Sequence, residues 1–402
     1  MPGKGQDGFI MNRVTLIISA AGLSSRMGDF KPLMKVDGIE NIIRELDTYF
    51  GMGIDRALVI TGYRAEDIIS AVRAHYPDDG EREVVFLHNP EYATTHMYDS
   101  LKIGLQYVKD VYASAAAAEG PDGPYARSLQ PGCAPEDVSG VLTLPVDVPM
   151  TAPFTIRKIL TTACSAGPDA IYPECCGEPG HPIFINAAAL DKFLAFEGRG
   201  GLRGAYLSER MKTVRLWTPD HGSIMDSDTP EAFARLLSEA EQRRCPDRER
   251  CEEILRFFVV DQSLLAHSAA VAALAREMAE KTGLDADLCY AGGMLHDIAK
   301  GLKKHAEAGA DCLSDLGYER VSSLVRTHTE LPEEYTQKLN ENLIVFLADK
   351  MVRRSTRVTI DERFAPKREK FRDDPEAMRS FERRYALAKR CEQLYIEQSG
   401  QG

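Results

Sequence analysis

The first quarter of the chain alternates short apolar runs with helical patterns. Val14-Thr15-Leu16-Ile17-Ile18 is apolar and rich in β-branched side chains, which predicts a buried strand. Residues 38–52 place Ile42, Ile43, Leu46 and Phe50 at helical spacing. A second strand is predicted at 57–60, a second helix at 65–75 and a third strand at 84–87. This rhythm predicts an α/β domain with a Rossmann-like, mostly parallel sheet and helices on both faces. Ligands of such sheets sit beyond the carboxyl ends of the strands. Residues 111–137, rich in Ala, Gly, Pro and Ser, predict a surface insertion, and 141–148 an apolar strand. Near residue 240 the texture changes to a charged stretch broken by Pro246. Beyond it strands are not expected: 252–282 and 285–299 have helical periodicity, helices continue to about 395, and an all-α bundle follows. The tail, 373–397, alternates acids and bases over Met378, Phe381, Tyr385 and Leu387, which predicts a packing helix with a solvated face.

Two domains fit a chain of 402 residues. Hydrophobic residues at 44% and charged residues at 27% are ordinary for a globular protein. The net charge of −12 argues against broad nucleic-acid binding and against anionic membrane surfaces, without forbidding a nucleotide held by local cations. Nine cysteines without a repeated CxxC framework point to a reduced, cytoplasmic setting, and the adjacent Cys175 and Cys176 are poorly placed for a simple bridge. Residues 1–11 read as a disordered extension without a secretory pattern, with Met11 an alternative start, and no apolar run approaches a membrane span.

Chemistry concentrates first after the leading strand. Ala20, Ala21, Gly22, Ser24 and Ser25 form a small-residue loop, followed by the cations Arg26 and Lys31. Exposed backbone N–H groups, a bidentate guanidinium and a mobile ammonium suit a polyphosphate. The strand at 141–148 delivers one carboxylate, Asp147, at its carboxyl tip, a layout that suits Mg²⁺. In the second half, four of the nine histidines (His267, His296, His305 and His328) join Asp297 and Asp349 in the order H…HD…H…H…D. That order fits a metal centre assembled from several helices, for a divalent transition metal such as Fe, Mn, Ni or Zn.

The string from Ala20 to Leu33 resembles the opening AAGxSxRMGxxKxL of the MobA-like nucleotidyltransferases related to molybdopterin cytidylyltransferase. The segment from Asn89 to Leu101 is similar to that family's NPxYxxGMxxSL, with His96 in place of the usual glycine and Asp99 beside Ser100. Val141 to Pro149 resembles its strand ending in PxDxP, Gly180 to Ile185 its GHPxxF, and 226–231 its DxDTPED. The resemblance implies the nucleotidyltransferase fold over residues 12–240. It implies that Ala20, Ala21, Gly22, Ser24, Ser25, Arg26, Lys31, Asn89, Asp99 and Ser100 bind the nucleotide, with Arg26, Lys31 and Asp147 catalytic. Asp147 and Asp228 would hold Mg²⁺, with Asp226 the alternative to Asp228. His181 would position the acceptor or be a packed histidine, and Arg199 and Arg203 lie in a candidate acceptor lid. Asp99 or Ser100 can equally cap a helix, as can Asp228 or Thr229.

Gly293 to Lys300 closely resembles the central motif of the HD-domain phosphohydrolases. The resemblance implies a first metal on His267, His296, Asp297 and Asp349, a second on His305 and His328, and a phosphate on Lys300. The expected domains are therefore 12–240, a linker at 241–251, an HD domain at 252–360 and a helical tail at 361–402. The implied function is Mg²⁺-dependent transfer of a cytidylyl or related group from CTP or another NTP to a phosphorylated small molecule such as molybdopterin, joined to metal-dependent phosphoester hydrolysis. The alternative is a phosphocholine-, phosphonate- or phosphosugar-type acceptor, with the HD half a metal and nucleotide sensor. No nucleic-acid or membrane partner is expected, and a homo-oligomer is left open.

Overall fold

The computed structural model describes residues 13–23, 27–77, 82–119, 138–259 and 261–400. The extension at 1–11 and the loop residues Ser24, Ser25 and Arg26 lie outside the described residues. The chain divides into two compact units, with the boundary between Ala240 and Glu241.

In the first unit the strands are β1 (Val14–Ala20), β2 (Lys35–Val36), β3 (Ile39–Glu40), β4 (Arg56–Thr61), β5 (Glu83–His88), β6 (Gly140–Pro145), β7 (Ala170–Cys175), β8 (Glu178–Pro179), β9 (Ile183–Asn186) and β10 (Thr213–Trp217). The main sheet runs β10-β7-β9-β6-β1-β4-β5, with β8 paired to β7. Strands β6, β1, β4 and β5 are parallel, with Ile17 in register with both Leu58 and Thr143. The sheet is nonetheless mixed, because β9 runs antiparallel to both β6 and β7.

Strand β1 is buried along its length because both faces of the sheet are covered. Leu16 and Ile18 pack on one side with Ile42 and Leu46 of helix Asn41–Gly51 and Ile156 and Leu160 of helix Pro153–Ala166. Ile17 faces the opposite core, with Leu101 and Leu105 of helix Met97–Glu119 and Phe193. The period of two along the strand thus becomes two cores. Strand order reverses at β1, which has β4 on one side and β6 on the other, so the carboxyl ends of β1 and β6 border the crevice where such sheets bind ligands.

The helix beginning at Met97 runs to Glu119, so the first part of the expected insertion is helical. The alanines at 115–118, in the best helix-forming residue, continue it rather than ending it. Of the expected caps, Thr229 is observed and Asp99 is not. Asp99 lies inside the first turn, where its Oδ2 accepts the His96 N–H at 2.9 Å. Thr229 Oγ1 accepts the Ala232 N–H at 3.1 Å and caps helix Pro230–Arg244. The expected lid, 198–204, is helical from residue 201 on, within the short helix Gly201–Tyr206.

In the second unit the expected helix over 252–282 is two, Arg248–Phe258 and Gln262–Thr282. Asp261 separates them, its side chain accepting the Ser263 N–H at 2.8 Å as the cap of the second. Helices Ala286–Leu295, His305–Asp315, Glu319–Thr327, Glu341–Lys350, Ile360–Lys370 and Pro375–Ser399 follow. Asp285, Asn340, Thr359 and Asp374 cap four of these by side-chain oxygen to backbone N–H bonds. The unit is not free of strand: β11 (Val352–Arg353) and β12 (Thr356–Arg357) form a small hairpin. No helix among the described residues is long and apolar enough to cross a membrane.

Candidate functional sites

In the first unit a cavity of about 490 Å³ opens at the carboxyl ends of β1 and β6. Ser19 to Gly22, Lys31, Ser100, Asp147, His181, Asp226 and Asp228 are among its walls. Lys31 stands in a turn (Lys31–Leu33) whose backbone is fixed by the Asn41 side-chain amide, which donates to the Lys31 carbonyl at 3.0 Å. Its Nζ donates to Asp147 Oδ2 at 2.8 Å and also to Asp228 Oδ1. Burial pushes the ammonium down, but the two carboxylates outweigh it and hold its pKa above the ordinary lysine value. Burial also pushes Asp147 up against the pull of Lys31, and Asp228 and Asp226 add to the rise. Two carboxylates thus converge on one positive charge in a shielded crevice, a donor set that fits a hard divalent cation.

The segment carrying the second acid is tied to the first. Ser227 N–H donates to the Asp147 carbonyl at 2.9 Å, and Asp226 Oδ1 accepts the Asp228 N–H at 2.9 Å. Asp226 Oδ1 is engaged in that turn, and Asp228 is the acid that meets Lys31. His181 lines the cavity, and its backbone N–H donates to the Ser223 carbonyl at 2.7 Å. Burial pulls its pKa down to about 4, so the imidazole is neutral near neutral pH.

Asn89 is buried and does not line the cavity. Its amide donates to Thr95 Oγ1 and Ser100 Oγ, both at 2.9 Å, and so orients two residues that do. Asp99 is exposed, turned to the His96 N–H, and absent from the wall. Glu45 is a residue that sequence reasoning missed. It is fully buried on helix Asn41–Gly51, has no hydrogen-bond partner among the described residues, and is pushed well up by burial and by Asp147. Its position in an amphipathic helix carried no signal of this.

In the second unit six residues from five helical segments meet. His267 lies within Gln262–Thr282, and His296 and Asp297 follow Ala286–Leu295. His305 opens His305–Asp315, His328 closes Glu319–Thr327, and Asp349 lies near the end of Glu341–Lys350. Asp349 Oδ1 is 3.3 Å from His267 Nε2 and 3.7 Å from His296 Nε2. Asp297 Oδ2 is 3.4 Å from His296 Nε2, while its Oδ1 is 3.2 Å from His305 Nε2 and 3.5 Å from His328 Nε2. Gly293 permits this convergence: a Cβ there would lie 2.6 Å from the Ala272 Cα, so only glycine lets the two long helices approach closely enough.

Three imidazoles are held by their other nitrogen. His267 Nδ1 lies 2.7 Å from the Arg354 carbonyl, His296 Nδ1 2.7 Å from that of Gly293, and His328 Nδ1 2.6 Å from that of Val325. Donation through Nδ1 leaves each Nε2 lone pair facing the centre, the arrangement that metal-binding imidazoles use. The buried Nε2 atoms of His296 and His305 have no hydrogen-bond partner among the described residues, an expensive state unless a cation takes the lone pairs. Two overlapping ligand groups result, His267–His296–Asp297 and Asp297–His305–His328, sharing Asp297, with Asp349 against the first. Burial pushes Asp297 up, but the neighbouring imidazoles of His296 and His328 and the Lys300 ammonium carry it well below the carboxylate range. Burial pulls His305 and His328 down, whereas Asp297 and Asp349 lift His296 in spite of burial.

Lys300 Nζ is 2.9 Å from Asp297 Oδ2, with its side chain half exposed. The centre opens into a groove of about 1990 Å³, walled also by Lys350, Arg363, Lys367, Arg383 and Arg384. The last two come from the tail helix Pro375–Ser399, whose charged face was expected to be merely solvated. Charge alternation along that helix did not reveal which residues turn to the groove.

The first unit is thus a nucleotide-transferase type of α/β domain with an acid–lysine crevice, and the second is a helical domain built around histidines and aspartates. The chain joins a MobA-like NTP transferase domain, matched over residues 16–214, to an HD domain, matched over residues 264–354. It is similar to the molybdenum cofactor cytidylyltransferase of Escherichia coli K12, at 26% identity over 226 residues, 56% of this chain and 95% of that protein. It also matches ribonuclease Y of Pseudothermotoga lettingae, at 40% identity over 73 residues, 17% of this chain and only 14% of that protein. Among solved structures, Rv0371c of Mycobacterium tuberculosis H37Rv aligns at 23% identity with a TM-score of 0.41, covering 56% of this chain and 99% of that one. Nucleotidyltransferases and HD domains generally use divalent metals.

Proposed function

We propose that the first unit transfers a cytidylyl group from CTP to a phosphorylated acceptor of the molybdopterin type and releases pyrophosphate. The observation that carries this reading is the Lys31 ammonium held between Asp147 and Asp228 in the crevice at the strand ends. The match to the cytidylyltransferase of Escherichia coli supports the choice of base and acceptor. Asp147 and Asp228 would hold Mg²⁺, which when bound neutralises charge on the phosphates. Lys31 supplies positive charge to the departing pyrophosphate. Backbone N–H groups of Ala20 to Gly22, with Ser24, Ser25 and Arg26, cradle the triphosphate, and Ser100, set by Asn89, meets the nucleotide. An ionised acceptor phosphate oxygen bonds to the α-phosphorus. The bond from the α-phosphorus to the bridging oxygen breaks, and pyrophosphate leaves with the electron pair. The acceptor needs no base, so the neutral His181 serves to position it.

In the second unit we propose hydrolysis of a phosphoester. His267, His296, Asp297 and Asp349 would hold one Fe, Mn, Ni or Zn ion, and Asp297, His305 and His328 a second, which together supply an activated water. Lys300 and the basic groove wall take the substrate phosphate. The two Nε2 atoms without a hydrogen-bond partner support metal binding at this centre. A cytoplasmic setting, rich in nucleoside triphosphates, suits both units.

The test is pyrophosphate release by the full-length protein with each NTP across molybdopterin, phosphocholine and phosphosugar acceptors. Turnover with phosphocholine but not molybdopterin overturns the acceptor. For the second unit, metal-loaded protein that binds nucleotides yet cleaves no phosphoester establishes the sensor instead.

A further inference from the structure

A third cluster lies in the first unit, on residues that do not line the acid–lysine crevice. Strand β7 ends at Cys175, which pairs with Glu178 of β8, so Cys176 and Gly177 form a two-residue turn. Both turn residues have positive φ, 53° and 85°, as a tight hairpin of this hand requires. Adjacent residues of a strand point to opposite faces. The left-handed backbone at Cys176 instead brings its Sγ to 3.7 Å from Cys175 Sγ. His221 Nε2 lies 3.7 Å from Cys176 Sγ, and the three ligand atoms are all within 4.8 Å of one another.

The second segment is fixed independently. Asp220 Oδ2 accepts from the Ala152 N–H and the Thr155 hydroxyl, both at 2.8 Å, which anchors the turn His221–Ile224. Gly180 N–H donates to the Pro173 carbonyl at 2.8 Å, and the Ser223 carbonyl lies where a Gly180 Cβ would sit 2.7 Å away. Hairpin and turn are therefore locked together by backbone contacts, with the thiols and imidazole at the junction.

We propose that Cys175, Cys176 and His221 form a binding site for a thiophilic d¹⁰ cation, zinc in the first instance, with one coordination position left to solvent. Tetrahedral zinc with sulfur at about 2.3 Å has sulfur–sulfur edges of about 3.7–3.8 Å, which is the spacing held here without the ion. Two thiolates and an imidazole select this class over Mg²⁺, so the site is chemically distinct from the acid–lysine crevice. Neither cysteine nor His221 lines that crevice. The segments they sit on do continue into it, through His181 on one side and Asp226 and Asp228 on the other. An ion here clamps two stretches of crevice wall.

The experiment uses the full-length protein, reduced and stripped of metal, titrated with Co²⁺ and Cd²⁺ while thiolate-to-metal charge transfer is followed in the near ultraviolet. The histidine–aspartate centre contains no sulfur, so this band reports on thiolate ligation alone. Trp217, the single tryptophan of the chain, is in register with Glu174 beside the cluster and gives a second readout by quenching. The expected result is one sulfur-ligated ion per chain, with the band abolished in Cys176→Ser and affinity weakened about tenfold or more in His221→Gln. The band persists in His296→Ala. Cys176 is exposed, so its replacement leaves the fold intact, as circular dichroism will register. Absence of a band, a band that survives Cys176→Ser, or recovery of Cys175 and Cys176 as a vicinal disulfide that bound metal does not protect against overturns the proposal.

Discussion

Lys31 bridges two acids that are 116 and 197 residues away in sequence. Removing one negative charge from this triangle leaves the ammonium paired but weakens the hold on a divalent ion. Asp147→Asn is expected to lower the turnover of pyrophosphate release by roughly a hundredfold or more, with circular dichroism unchanged. His181 gives a second residue-scale prediction. Its folded pKa, about 4, lies below the ordinary histidine value, so on acidification the unfolded chain takes the proton first and stability is lost as the pH is lowered. Between about pH 7 and pH 5 this costs up to about 2 kcal/mol, and His181→Gln removes that slope in urea-denaturation curves. Asp147 was legible because an apolar strand ending in one acid is a strong local pattern. Glu45 was not, because its burial comes from packing against residues distant in the chain.

At the scale of elements, helix packing sets the spacing of the histidine centre. The ring centroids of His267 and His296 lie 5.2 Å apart because Gly293 lets their helices touch. Gly293→Ala is expected to cost about 1–3 kcal/mol in chemical denaturation and to loosen metal binding in the same protein. The periodic segments were legible, helix Ala65–His75 among them. Ends and interruptions were less so. Polar and small residues at 111–119 looked like a loop, but an alanine run lengthens a helix already begun. The break before Asp261 was hidden because apolar spacing continues across it, and only the capping bond marks the new start. The antiparallel β9 follows from long-range pairing with β6 and β7, which a local pattern cannot encode.

Across the whole molecule, a net charge of −12 conceals a groove in the second unit with lysines and arginines along its wall. Global charge governs long-range steering, while a local cluster within a Debye length governs a bound phosphate. The double replacement Arg383→Glu/Arg384→Glu is expected to raise KM for an anionic phosphoester about tenfold while changing kcat little, with the effect shrinking as salt is added. Initial-rate kinetics at low and high ionic strength check it. The sequence alone determined that an α/β region precedes a helical one and where most of the leading strands and helices fall, and it singled out candidate acids, cations and histidines. These depend on local apolar period and on residue type. Tertiary structure decided which acid faces Lys31, how the histidines share Asp297, that the tail helix walls the groove, and that Cys175, Cys176 and His221 meet. Each of these joins segments far apart in the chain, brought together by packing and backbone pairing rather than by local sequence.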